Sequence, residues 1–415
     1  MRILWVKMGG LWPSNTGGRV RSLSIISELS RRHRVTVVTT HGSGDDPEGL
    51  ARQLPQCRQV RSFPYVVPKR GDREFPMAVA RSWFSADPVD LWKWRVPAVR
   101  SYVETVMARG DADICVADFL FASPNVPFGG PVPVVLFEHN VEYQIWKRLA
   151  AIERSPLKRA LFEIEWRKVM SREAAVCAAA DLTIAVSDDD RRRLSQLAPA
   201  ARTAAIPTGV DTAYFHRNGT PEVPGRIVFT GSMDWRPNED AVQYFIDTML
   251  PAIRREIPGA SLAIVGRNPT ARLRALAERA GALVSGTVDD VRPWMAEASV
   301  CVVPLRAGGG TRLKIFEALA MERPVVSTTV GAEGLSLLPG REYIAADDPH
   351  AFAREVVALL RDAGRRRALG RAGRRLVEDR YSWGHVAREF EAHCESVLAS
   401  RQHPNQHASQ MSAVA

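Results

Sequence analysis

Apolar residues in this chain fall into short β-branched runs, separated by longer stretches in which they recur every three or four positions. The runs in the first half lie at Arg2–Lys7, Arg34–Thr40, Ile114–Ala117, Val132–Phe137 and Leu182–Val186. In the second half they lie at Arg226–Thr230, Ser261–Val265, Leu283–Val284, Ala298–Pro304 and Val325–Ser327. Continuous apolar runs of this length read as strands buried on both faces. Between them, Leu23, Ile26 and Leu29 carry a helical period, and Asp240–Arg255, Thr270–Ala280 and Val291–Glu297 read as further helices. Strand and helix in alternation predict parallel sheets covered on both sides, an α/β fold of doubly wound units.

The series restarts after Ile206-Pro-Thr-Gly-Val-Asp211 and the polar stretch Arg217–Gly225, which predicts one domain over 1–205 and a second over 206–380. A helical segment follows over 381–400. The polar, small-residue tail 401–415 is expected to be disordered.

A length of 415 residues suits two such domains. Cys57, Cys115, Cys177, Cys301 and Cys394 are odd in number and scattered, which suggests neither a disulfide framework nor a zinc ribbon and fits a reducing cytoplasm. Met1–Lys7 is too short to be a signal peptide. The longest uncharged stretch, Phe119–Phe137, is broken by prolines and glycines and cannot be a spanning helix. Residues 1–205 hold 30 Lys/Arg against 22 Asp/Glu, and residues 206–415 hold 26 against 24. The positive field therefore belongs to the first half; it suits an anionic partner there, and solvated arginine-rich faces explain it equally.

Chemistry concentrates in Pro304-Leu-Arg-Ala-Gly-Gly-Gly-Thr-Arg-Leu-Lys-Ile-Phe-Glu317, a glycine loop that opens into an apolar helix. Lys314 is the only lysine after Lys168. Glycines let backbone N–H groups approach an anion, a helix start adds unpaired donors, and lysine supplies a point charge, so the segment predicts a phosphate site. Glu317 lies where the helix is apolar on nearly every side, and a carboxylate there needs partners such as ribose hydroxyls. An i,i+3 ion pair with Lys314 is the other reading.

These residues resemble glycosyltransferase family 4, a family of retaining enzymes with the GT-B architecture of two facing Rossmann-like domains. The likeness is densest from Gly286-Thr-Val-Asp-Asp-Val291 through Glu317 to Arg323-Pro-Val-Val-Ser327, with support from Phe229-Thr-Gly-Ser-Met-Asp-Trp-Arg-Pro-Asn238. The pattern Gly-Gly-Gly-Thr-Arg-Leu-Lys with Phe-Glu-Ala-Leu-Ala is similar to the branch found with bacterial exopolysaccharide sugar transferases.

The resemblance implies a nucleotide-sugar donor on the C-terminal domain, a glycan or lipid-linked acceptor on the N-terminal one, and a crossover helix over 381–400 that returns to the N-terminal domain. It implies no metal and no cofactor, since the nucleotide-sugar is the substrate, and no nucleic-acid partner. Glu317 matches the glutamate that contacts the donor ribose, Gly18 a backbone amide near the donor, and His139 a histidine beside the reacting centre. Ser232, Arg236, Gly266, Val288, Gly309, Gly310 and Thr311 fall on the donor side.

Two departures stand out. The family's second glutamate, eight residues before the ribose glutamate, is Gly309 here. The loop after the first strand of the C-terminal domain, where the family commonly holds the pyrophosphate with an arginine and a lysine, offers only Ser232 and Arg236-Pro237. Arg312 and Lys314 are therefore expected to carry the phosphate charge and, with His139, to form the catalytic set. A GT-B epimerase or phosphorylase and a non-catalytic anion-binding protein fit the same motif.

Smaller signals have plainer readings. Asp111-Ala-Asp113 precedes a strand, the wrong end for a site. Ser187-Asp-Asp-Asp190 reads as a helix cap, and Arg365-Arg-Arg367 as a solvated face. Phe75–Arg100 interleaves Trp83, Phe84, Trp92 and Trp94 with Arg81, Lys93, Arg95 and Arg100. That pattern fits peripheral contact with the inner face of a membrane, an acceptor groove, or core packing.

Overall fold

The computed structural model describes residues 1–14, 16–68, 72, 74–153, 155–307 and 313–402. Gly309, Gly310, Thr311 and Arg312 lie outside the described residues, as does most of the tail from 401. The chain divides into two compact units, Met1–Pro207 with Val386–Ala415, and Thr208–His385.

The first unit is a seven-stranded parallel sheet of β1 (Arg2–Lys7), β2 (Arg34–His41), β3 (Gln59–Pro64), β4 (Ile114–Asp118), β5 (Val134–Phe137), β6 (Leu182–Ala185) and β7 (Thr203–Ala205), in the order β3-β2-β1-β4-β5-β6-β7. The second is a six-stranded sheet of β8 (Arg226–Thr230), β9 (Ser261–Val265), β10 (Leu283–Gly286), β11 (Val300–Val303), β12 (Val325–Ser327) and β13 (Ile344–Ala345), in the order β10-β9-β8-β11-β12-β13. In each sheet the chain runs outward to one side, returns, and builds the other side. The order reverses between β1 and β4 in the first sheet and between β8 and β11 in the second. Ligands of open α/β sheets bind beyond the strand carboxyl ends at such switch points.

The runs of buried residues explain why the sheets form. Cys115, Val116, Val134, Val135, Val300 and Val302 are all essentially inaccessible, as strands covered on both faces require. In the Gly17–Ser30 helix the buried positions Arg21, Ser22, Ile25, Ile26 and Leu29 recur at helical spacing and define the face laid on the sheet. The segment read as one helix over 240–255 is three pieces: Arg236–Tyr244, a π-turn at Phe245–Met249, and Leu250–Glu256 with Pro251 in its first turn. The proline lacks the N–H that a continuous helix needs, so the turn widens there. The last helix, Trp383–Gln402, starts in the second unit and ends in the first. There Phe390 packs on Trp5 and Phe137, and Glu391 bonds Arg32 and His33.

Candidate active site

In the first unit the switch point brings three ionisable groups together. Lys7 ends β1 and Asp118 ends β4, paired in register. His139 lies two residues beyond β5. Asp118 is fully buried and saturated: Lys7 Nζ and His139 Nε2 donate to its Oδ1 at 2.9 and 2.8 Å, and Trp5 Nε1 donates to its Oδ2 at 2.8 Å. Burial pushes the Asp118 carboxyl up, but the Lys7 and His139 interactions overrule it and hold the group well below the usual carboxylate range.

Because a carboxylate only accepts, Nε2 of His139 carries the proton and Nδ1 presents a lone pair. Burial and the Lys7 charge lower the His139 pKa to about 3, so the ring stays neutral at physiological pH. Its Nδ1 lies 3.5 Å from where a Cβ on Gly18 would be. Gly18 sits in the first turn of the Gly17–Ser30 helix, whose leading N–H groups have no partner within the helix. The structure thus joins Gly18 and His139, and adds Lys7 and Asp118. Their signal was a charge closing an apolar run at its carboxyl end.

In the second unit two loops meet at the carboxyl ends of β8 and β9. A Cβ on Gly266 would lie 1.7 Å from the Gly231 carbonyl oxygen, and both glycines have φ near +155°. Only glycine permits this approach. Gly231 is followed by Ser232, whose Oγ donates to Asp234 and accepts from Arg267 Nε at 2.7 Å. Arg236, exposed, opens the Arg236–Tyr244 helix, while Val288 packs against the core of this unit.

Lys314 reaches back from the helix Leu313–Ala320 to the same place. Its Nζ donates to Asn238 Oδ1 at 2.8 Å and lies 4.2 Å from the Phe229 ring centre. A Cβ on Gly231 would be 2.8 Å from that ammonium. Asn238 in turn donates to the Ser232 carbonyl at 2.8 Å. The loop that lacks cations of its own therefore receives Lys314 from one side and Arg267 from the other. Asn238 and Arg267 were missed, since an amide in a helix and an arginine after a strand carry no distinctive spacing.

Glu317 is half-buried, one turn along from Lys314. Burial raises its carboxyl to about 7 against the opposing pull of the Lys314 charge. Among the described residues no hydrogen bond to this carboxylate is present. An ammonium, a guanidinium, glycine backbone and an available carboxylate at a switch point can hold a diphosphate and a diol together.

Plainer readings also find their place. Asp113 bonds Arg2 at the amino ends of the strands, and Ser187 caps its helix by accepting from the Asp190 N–H. Among the described residues no cluster of side chains suits a metal ion, and no helix is long and apolar enough to cross a membrane.

Comparison with known proteins matches both units. The profile of Glycosyltransferase Family 4 matches residues 16–214, and that of Glycosyl transferases group 1 matches residues 224–362. The chain belongs to glycosyltransferase family 4 and has the GT-B fold. It is 28% identical over 354 residues to a GDP-mannose-dependent alpha-(1-6)-phosphatidylinositol monomannoside mannosyltransferase of Mycobacterium tuberculosis, covering 76% of this chain and 89% of that protein. Among solved structures, sucrose-phosphate synthase from Thermosynechococcus elongatus superimposes with a TM-score of 0.69 at 18% identity, over 96% of this chain and all of that one. HepE of Anabaena, solved in complex with UDP and glucose, gives 0.64 at 14% identity, over 95% of this chain and all of that one.

Proposed function

We propose that this glycosyltransferase moves a sugar from a nucleotide-sugar to a saccharide or lipid-linked acceptor, with retention of anomeric configuration, in exopolysaccharide or cell-surface glycan synthesis. The observation that carries the reading is the convergence of Lys314, Arg267 and the Gly231–Gly266 contact beside the Glu317 carboxylate. Lys314 and Arg267 bind the diphosphate and stabilise its charge as the bond to the sugar breaks. Glu317 accepts from the ribose hydroxyls, whose hydrogen bonds answer its burial. These cations take the part that a metal ion plays at many phosphate sites, so transfer proceeds without one.

In the first unit, His139 offers Nδ1 to a hydroxyl, held in that tautomer by Asp118 and kept neutral by burial and the Lys7 charge. Arg312, Gly309, Gly310 and Thr311 remain assigned to the donor by their place in the loop.

The M. tuberculosis mannosyltransferase makes GDP-mannose the first donor to try, and the UDP bound to HepE makes UDP-sugars the second. The test is a thermal-shift series with GDP, UDP, ADP and their sugars, with and without EDTA, since a ligand of the folded state raises Tm by mass action. A shift with one nucleotide that persists in EDTA is expected, followed by turnover of its sugar. Lack of any shift, or a shift that EDTA abolishes, would sink the reading.

A further inference from the structure

We propose that the helical hairpin Glu142–Ile152 and Pro156–Ala179 of the first unit, with the adjoining Trp83-Phe84 corner, is a docking surface for an anionic lipid bilayer. The Phe75–Arg100 segment divides in the structure. Trp92 and Trp94 face inward: Trp92 Nε1 donates to Ser85 Oγ at 2.6 Å, and the Trp94 ring lies on Phe121 and against Gly9. Trp83 and Phe84 do the opposite, with 62% and 92% of their surface exposed.

That corner is fastened to the hairpin, because Lys168 Nζ donates to the Ser82 carbonyl at 2.6 Å. Leu157, Leu161, Ile164 and Lys168 are spaced four, three and four residues apart and so share one stripe of their helix. Leu157 and Ile164 are 73% and 53% exposed; Leu161 is exposed beside them, as are Ile145 and Leu149 on the partner helix. Large apolar side chains exposed together on neighbouring turns mark an interaction surface, since single exposed ones are ordinary.

Charge selects the occupant. Residues 144–168 hold seven Lys/Arg against three Glu. Glu165 turns inward to accept from the Val89 N–H, and Glu163 is taken up by Trp166 and Arg167. Lys147, Arg148, Lys158, Arg159 and Arg167 remain exposed around the stripe. Lys147 and Arg167 lie 5.4 and 4.7 Å from the Trp166 ring, with apolar stems along the surface and charged heads outward. A second copy of the chain would set this basic rim against itself. A nucleic acid would use the cations and leave the leucines in water. A bilayer with acidic headgroups uses both, the leucines entering the interface while the cations stay at phosphate level.

The test is flotation of the full chain with vesicles of phosphatidylcholine alone or with about a third phosphatidylglycerol, at low and high salt. Binding to the acidic vesicles and its reduction by salt are expected. Leu157→Glu combined with Ile164→Glu is expected to cut the bound fraction about tenfold, because two anchors are removed and two repulsive charges added. Leu283→Glu with Leu338→Glu, exposed apolar positions of the second unit, is expected to bind as wild type does. Unchanged far-UV circular dichroism and Tm keep the comparison one of folded proteins. Failure of the wild type to float, equal flotation of the hairpin variant, or a dimer that the hairpin substitutions dissociate without affecting flotation would each overturn the proposal.

Discussion

The carboxyl-end sites of the two sheets are built from similar parts and differ in what their charges do. In the first unit a cation, Lys7, and a neutral histidine converge on one buried carboxylate, and the three groups satisfy one another. In the second unit Lys314 donates to an amide and Arg267 to a hydroxyl, while the Glu317 carboxylate feels the Lys314 charge and has no hydrogen bond among the described residues. On the reading proposed above, the first site meets a neutral hydroxyl through the His139 Nδ1 lone pair. On the same reading the second site meets a diphosphate through Lys314 and Arg267. The two lysines thus differ in their hydrogen-bond acceptor, a carboxylate for Lys7 and an amide oxygen for Lys314.

Exchanging those partners breaks the contrast. The largest effect is expected from Lys314→Ala, with transfer reduced about 10²–10³-fold by loss of one preorganised charge on the leaving diphosphate. Initial rates at saturating donor check this, and a loss under threefold contradicts it. Asp118→Asn acts instead on stability. It leaves Lys7 buried without its counter-charge, and a loss of about 3–5 kcal/mol is expected in urea unfolding followed by fluorescence. Asn238→Ala frees Lys314 from its register and is expected to raise the donor KM by about tenfold, the value of one hydrogen bond to a charged group.

Glu317→Gln sharpens the comparison through pH. The Glu317 carboxyl is raised to about 7 in the folded chain, so its contribution to stability is fully present below the ordinary glutamate value of 4.5 and is lost as pH rises through about 7. The same rise ionises Glu317, so if the proposed ribose contact holds, nucleotide binding is expected to tighten between about pH 6 and 8. Glu317→Gln removes both trends; titrations that keep the wild-type pH dependence in the variant contradict the assignment. Asp118 has the opposite sign. Its lowered carboxyl gives stability that is present at neutral pH and lost only on strong acidification.

Much of this was legible before any coordinates. The central strands were readable because burial on both faces makes them continuously apolar. β3, β7 and β13 are not legible in the sequence for the converse reason: they are edge strands, and Gln59–Pro64 carries Arg61 and ends in proline, as edge strands tolerate. Gly18, His139 and Lys314 stand out because each follows a strand or opens a helix at a sheet's carboxyl end, and Glu317 because it is a carboxylate within an apolar helix. The direction of Lys314 is not legible there, since helical spacing offers Glu317 as its partner, whereas its ammonium reaches Asn238 and the Phe229 ring at the end of β8. Asp118 and Lys7 looked like the ends of strands until the register placed them side by side.

The most direct test is calorimetric titration of GDP and UDP into wild type, Lys314→Ala and His139→Ala. Micromolar binding of one nucleotide to wild type, at least about tenfold weaker binding to Lys314→Ala, and unchanged binding to His139→Ala are expected, if the diphosphate belongs to the second unit as proposed. Binding retained in Lys314→Ala, or lost in His139→Ala, would contradict it.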